Sequence, residues 1–287
     1  MSDTTPFLER KIVLFLSADI VGSTEYKNKS KTQNAWLRFF TTFYKDFPTS
    51  FLRKLEEVRS PNSYKPEVWK SLGDEIIFKA EIKKHEEAQE IVKAFASTVF
   101  DYSTSIREES LSLKGSAWVA GFPVINAEFA TETNSKNVMD FIGPQMDIGF
   151  RIGKYASELK FIISVELLIL LAETSSTFFK FHLEEPQILK GVLNQRPYPI
   201  LWIKNDKAKE NRLNSLMKLY LNHCETSDLN AYCREFLLSA GKPFMIPYLT
   251  EDPHFQVLPE WYEQEYEQKK QLFYNFEDDF GEESPES

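Results

Sequence analysis

The chain has 287 residues, 42% of them hydrophobic, including 24 Phe, 12 Tyr and 5 Trp. Those large packing groups suffice for one substantial core and exclude wholesale disorder. Thirty-four Lys and Arg against 43 Asp and Glu leave a net charge of -9, so the chain lacks the basic face needed to wrap a nucleic-acid polymer. A small, locally positive pocket that recruits metal is still compatible with that balance.

Two cysteines, Cys224 and Cys233, make no disulfide framework. Met1 to Arg10 lacks the basic-then-apolar order of a signal peptide, and the longest apolar stretch, Phe161 to Ala172, is too short to span a bilayer. The expectation is a cytoplasmic protein without a membrane contact.

Lys11 to Leu16 reads as a buried strand that runs into a turn at Ser17 to Thr24. Trp36, Phe39, Phe40, Phe43, Phe47, Phe51 and Leu55 recur at helical spacing, with Pro48 expected to kink or split the helix. Val68 to Leu72 and Ile76 to Phe78 form a hairpin about Gly73-Asp74-Glu75. A second helix carries Ala88, Ile91, Val92, Phe95, Val99 and Ile106. Strands follow at Ser116 to Val124 and Val138 to Ile142. Gly143-Pro144 then opens a helical segment from Gln145 to Leu159, Pro being favourable at a first helical position. Lys160 to Val165 reads as strand, Glu166 to Ala172 as a short helix, and Phe178 to Leu183 with Pro199 to Ile203 as a closing strand pair.

This order predicts an α+β fold, a ferredoxin-like or palm-type mixed sheet covered by helices. It spans residues 1-204, followed by a mainly helical C-terminal extension at 205-274 and a disordered acidic tail at 275-287. Within the extension, Asn205 to Asn211 reads as a linker, and Leu213 to Leu221, Leu229 to Leu238 and Trp261 to Tyr274 as helices.

Two acids end apolar strands at turns: Asp19 and Asp74. If their strands are neighbours, both carboxylates face one point, and two carboxylates with phosphate oxygens are a donor set that Mg²⁺ favours. Taken singly, each is as well read as a helix cap or a turn residue. His85, His182, His223 and His254 show no ligand spacing and read as surface or capping residues.

Asp19-Ile20-Val21-Gly22-Ser23-Thr24 and Lys70-Ser71-Leu72-Gly73-Asp74 resemble the two metal-binding signatures of class III adenylyl and guanylyl cyclases. Asp140 to Arg151 resembles the third motif of that family, and Leu189-Lys190-Gly191 before Pro199-Ile200-Leu201-Trp202 its closing strands. The resemblance implies a homodimer with shared active sites that turns a nucleoside triphosphate into a 3′,5′-cyclic monophosphate using two Mg²⁺ or Mn²⁺ ions. By the same resemblance, Asp19, Asp74 and the Ile20 carbonyl hold the metals. Gly22, Ser23 and Thr24 cradle phosphate oxygens through backbone N–H groups, and Lys70 and Asp140 read the base. Arg151, from the other subunit, stabilises charge at the α-phosphate; its alternative reading is a surface salt bridge. Lys190 is read as an exposed loop lysine.

The chain departs from the family at two positions. Asp147 stands where Asn usually positions the ribose, and it lies four residues before Arg151 on one helix face. Ser17 replaces a usual Phe. The lone catalytic domain, the Asp147 to Arg151 segment and the C-terminal region resemble the stand-alone pyrimidine cyclases of the bacterial Pycsar anti-phage system. That resemblance implies UTP or CTP as substrate and a cyclic product read by a separate effector protein. Lys70 and Asp140 offer one donor and one acceptor, which any of the four bases can satisfy, so they do not name the base. Three other readings stay open: an adenylate cyclase of ordinary signalling, a non-catalytic nucleotide-sensing module, and, from Leu72-Gly73-Asp74-Glu75, a diguanylate cyclase. The last is disfavoured by the missing first Gly and by the Asp140 to Arg151 segment.

Overall fold

The computed structural model describes residues 8–60, 63–133, 136–173, 178–208 and 225–280. Its centre is a seven-stranded mixed sheet in the order β2-β3-β1-β4-β7-β9-β8. The strands are β1 (Lys11–Val21), β2 (Glu67–Leu72), β3 (Glu75–Ile82), β4 (Ser112–Phe122), β7 (Lys160–Ile163), β8 (Phe181–Ile188) and β9 (Pro197–Lys204). All neighbouring pairs are antiparallel except β4 with β7. A separate hairpin pairs β5 (Ala127–Thr133) with β6 (Lys136–Ile142).

The helices are α1 (Ser23–Lys29), α2 (Gln33–Glu56), α3 (His85–Ser105), α4 (Pro144–Ile152), α5 (Val165–Ala172), α6 (Thr226–Ala240) and α7 (Glu260–Phe280). Phe43, Phe47, Phe51 and Leu55 of α2 and Ile91, Val92 and Phe95 of α3 are buried. Phe51 stands edge-on to both Phe78 of β3 and Phe95 of α3, so these helices seal one face of the sheet. The mixed sheet under helices is the fold class expected from the order of elements.

Several local expectations are corrected. Strand β1 does not end at Leu16 but runs to Val21, because residues 12–18 are all buried between β3 and β4 and ladder pairing overrides the turn propensity of Ser17 and Asp19. Helix α2 is not split: Pro48 sits inside a continuous Gln33–Glu56 helix whose buried Phe stripe flanks it. The first strand of the closing pair lies later than expected, at Phe181–Ile188, while the second, Pro197–Lys204, contains the expected Pro199 to Ile203; α4 stops at Ile152, where a 3₁₀ turn, Gly153–Tyr155, follows. Strand β5 was not expected. Helix α7 continues to Phe280, past the start of the expected tail. The expected helix at Leu213 to Leu221, with His223 and Cys224, lies outside the described residues.

The C-terminal segments dock on the sheet unit. The Tyr262 hydroxyl donates to the Phe122 carbonyl at 3.1 Å and that of Tyr266 to the Leu8 carbonyl at 3.0 Å. The Arg10 guanidinium lies 3.9 Å over the Tyr266 ring and pairs with Glu263. His85 is not a surface residue. It is buried at the start of α3, with Nδ1 2.5 Å from Asp252, which is 3% exposed. No helix among the described residues is long and apolar enough to cross a membrane.

Candidate active site

The hairpin β2–β3 turns on Gly73 and Asp74, with Gly73 at φ +68°, a left-handed conformation that glycine adopts without a Cβ penalty. The Asp74 carbonyl accepts from the Ile20 amide at 3.3 Å, and Asp19 lies directly opposite Glu75 in the β1–β3 ladder. The two expected metal acids therefore sit on adjoining strand ends. The Ser23 hydroxyl donates to the Asp74 carboxylate, so this side chain is engaged with the acid, and Gly22 at φ +85° turns the chain from β1 into α1.

Three further residues join the acids: Lys114 and Tyr44, which lie in no sequence motif, and Glu75, which the sequence placed only at the hairpin turn. Lys114, opposite Asp19 in the β1–β4 ladder, places Nζ 2.9 Å from Asp19 Oδ2. Glu75 accepts from Ser17 Oγ at 2.5 Å. Burial pushes the Glu75 carboxyl above the usual carboxylate range; the Ser17 bond opposes this, and the charges of Asp19 and Asp74 add to it. The Tyr44 hydroxyl, from α2, donates to the Gly73 carbonyl. Burial and then the charges of Asp74, Asp19 and Glu75 raise its pKa.

Ser17, Asp19, Glu75, Lys114, Trp118, Phe150 and Lys154 line one open cleft of about 220 Å³. The donors are hard carboxylate oxygens, the type that suits Mg²⁺ or Mn²⁺, ions that keep part of their water shell. Asp19, Asp74 and Glu75 are not drawn into one tight trio. Among the described residues the group whose ligand atoms all lie within 4.8 Å is His85, Glu86 and Asp252, where the short Asp252–His85 bond already uses both side chains.

Lys70 and Asp140 meet. Lys70 Nζ is 2.7 Å and 2.6 Å from the two Asp140 oxygens. The β2–β3 register shifts between Val68 and Lys70, leaving Trp69 as an extra residue. The bulge turns Lys70 onto the face shared by Glu75 and Ile77. Trp69 Nε1 donates to the Met139 carbonyl at 3.0 Å, fixing β2 to β6. Phe15, Trp69, Phe141, Trp118 and Phe150 form a continuous aromatic floor, with ring centroids 5.2–6.3 Å apart, joining this pair to the cleft.

Arg151 lies elsewhere. Its Nη1 is 3.1 Å from Asp147 Oδ1 and donates to the Asp147 carbonyl, while Nε donates to the Lys190 carbonyl at 2.5 Å. Asp147 thus orients Arg151 within one turn of α4. Arg151 makes no contact with Asp19 or Asp74 of its own chain. Val68, Leu72, Ile142 and Phe150 are exposed apolar side chains on β2, β6 and α4.

No protein-family model matches the chain, and no curated protein matches it by sequence. Solved structures do match. The adenylyl cyclase CyaB from P. aeruginosa aligns with a TM-score of 0.54 at 13% identity, covering 71% of this chain and 97% of that one. The guanylate cyclase domain of RhGC from Catenaria anguillulae, in complex with GTP, gives 0.52 at 9% identity, covering 68% and 98%. A bacterial light-regulated adenylyl cyclase gives 0.50 at 10%, covering 74% and 100%. The likeness shows that the chain has the fold of nucleotidyl cyclase catalytic domains.

Proposed function

We propose that this protein is a nucleotidyl cyclase that converts a pyrimidine nucleoside triphosphate, UTP or CTP, to the 3′,5′-cyclic monophosphate and pyrophosphate. The observation that carries the reading is that the turn bearing Asp74 is bonded to Ile20, next to Asp19, at the joined ends of β1 and the β2–β3 hairpin, on a cyclase-type sheet.

Asp19, Asp74 and the Ile20 carbonyl would hold two Mg²⁺ or Mn²⁺ ions. When bound, such ions acidify the ribose 3′-hydroxyl and neutralise the departing pyrophosphate. Lys114 adds positive charge beside Asp19, where triphosphate oxygens gather, and the turn at Gly22, Ser23 and Thr24 offers backbone N–H groups to them. Lys70 and Asp140 are already aimed at one another, so a base edge presenting an acceptor and a donor can replace each half of their contact. Asp147 holds Arg151 and accepts a ribose hydroxyl.

A homodimer supplies the remaining group. Because Arg151 is held by Asp147 and the Lys190 carbonyl and is not bonded to Asp19 or Asp74 of its own chain, the α-phosphate of each site takes Arg151 from the partner in this reading. The exposed apolar residues on β2, β6 and α4 supply an interface for a two-fold pair. The choice of pyrimidine rests on the resemblance of the Asp147 to Arg151 segment to the anti-phage cyclases, as does a role in defence, with the product read by a separate effector. Residues 1-204 form the catalytic domain in this reading and 205-274 its extension.

Incubating the protein with all four triphosphates in competition, with Mn²⁺, and identifying products by mass spectrometry tests the proposal. Cyclic UMP or cyclic CMP is expected. Cyclic AMP would replace the pyrimidine reading with an ordinary adenylate cyclase, and a cyclic dinucleotide would replace it with a diguanylate cyclase.

A further inference from the structure

Glu166 is the one charged residue of α5 (VELLILLA) and is 2% exposed. Its carboxyl accepts from Gln145 Nε2 at 3.2 Å and lies against the hydroxyls of Ser164 and Tyr198. Gln145 is the second residue of α4, the helix that carries Asp147 and Arg151. The other end of its amide is already committed, because Oε1 accepts from the Gly121 amide at 2.7 Å and from Asn126 Nδ2 at 2.8 Å. The amide cannot turn over without losing both bonds, so Nε2 needs an acceptor where Glu166 stands. Asn126 Oδ1 closes the ring by accepting from the Gln145 backbone at 3.2 Å.

The far side of the network reaches the C-terminal extension. The Tyr198 hydroxyl accepts from the Val165 amide at 2.9 Å, and its ring stands edge-on to Phe236 of α6 at 5.6 Å. Buried Cys233 of α6 lies close enough to feel Glu166. Burial raises the Glu166 pKa. A protonated carboxyl here donates to a hydroxyl and accepts from Gln145, as a Gln side chain would.

We propose that Glu166 is a positioning residue: through Gln145 it fixes the first turn of α4, and so the place of Arg151, with α6 of the extension keeping the network dry. The catalytic half of this proposal rests on the cyclase reading; the structural half does not.

The test compares E166Q and E166L in the full chain, with E166M in place of E166L if that variant does not fold. E166Q keeps a donor and an acceptor, so kcat and KM should stay within about twofold of the parent. E166L fills the space but strands Gln145 Nε2. Its kcat should fall about tenfold or more with KM nearly unchanged, the signature of a displaced transition-state group. Because Phe150 of α4 packs on Trp118, its near-UV circular dichroism should also change while the far-UV spectrum does not. Equal losses in E166Q and E166L, a fall in kcat matched by loss of folded protein, or a parental near-UV spectrum in E166L would each overturn the proposal. If the parent turns over no triphosphate, the cyclase reading fails, and the near-UV comparison still decides whether Glu166 positions α4.

Discussion

Ile20 and Asp74 are tied through their backbones, the amide of one donating to the carbonyl of the other at 3.3 Å. This bond fixes the hairpin tip against the end of β1, and Asp19 stands opposite Glu75 in the same ladder, so two acids 55 positions apart in sequence share one end of the sheet.

The first prediction concerns those acids. D19N and D74N each remove a carboxylate charge of the proposed metal site while keeping the shape, and each should lower turnover by about a hundredfold or more. Chelation by EDTA should abolish parental activity, with recovery on adding excess Mn²⁺. Activity retained through chelation would exclude a metal-dependent site.

Arg151 yields a second test. R151A alone should cost on the order of a hundredfold in rate. Mixing R151A with D74A subunits should restore part of the activity, because one of the two composite sites is then intact. Absence of rescue, with subunit exchange demonstrated by mixed-label pull-down, would place each site within a single chain.

The sequence made part of this site legible, and the physical reason is local. Asp19 follows an apolar, buried run, Asp74 stands at the tip of a glycine-marked hairpin, and Lys70, Asp140 and Arg151 lie in motifs with fixed spacing. Lys114 carries no such signal, and Glu75 is marked only as part of the hairpin turn. Their roles come from ladder register, which places Asp19 opposite both, and register depends on strand partners far away in sequence. The Trp69 bulge was equally hidden, since an extra residue in an edge strand changes no pattern over six positions. Pro48 does not break its helix because burial of the Phe43, Phe47 and Phe51 stripe on the core outweighs its low helix propensity.

Gly149 provides a test of the packing of α4 that is read out as stability. A Cβ there would meet the ring of buried Trp118 at 2.3 Å. G149A must lift α4 or push the indole, and overpacking of this kind costs about 1–3 kcal/mol. Thermal unfolding should shift down by about 2–4 °C for each kcal/mol in a chain of this size. An unchanged Tm would mean that α4 does not sit on Trp118 as described.

The junction between α3 and the extension predicts a pH dependence. Burial alone would raise the pKa of Asp252, but hydrogen bonds from the His85 ring, the His85 amide and the His254 amide outweigh it and leave the pKa lowered. A carboxylate with a depressed folded pKa stabilises the fold above its unfolded value, near about 4, and loses that stabilisation as pH falls through the folded value. The parental Tm should therefore decline more steeply than that of D252N below about pH 4, while D252N is less stable at neutral pH by about 1–3 kcal/mol. Parallel Tm curves from pH 3 to 7 would contradict the assignment.

The most direct measurement is pyrophosphate release by the purified protein, its oligomeric state checked by gel filtration, followed with each triphosphate in turn in the presence of Mn²⁺ and repeated with D19N. The account predicts release from a pyrimidine triphosphate, one pyrophosphate for each cyclic nucleotide formed, and its loss in D19N. A folded dimer that frees no pyrophosphate from any of the four, or a D19N variant as active as the parent, would contradict it.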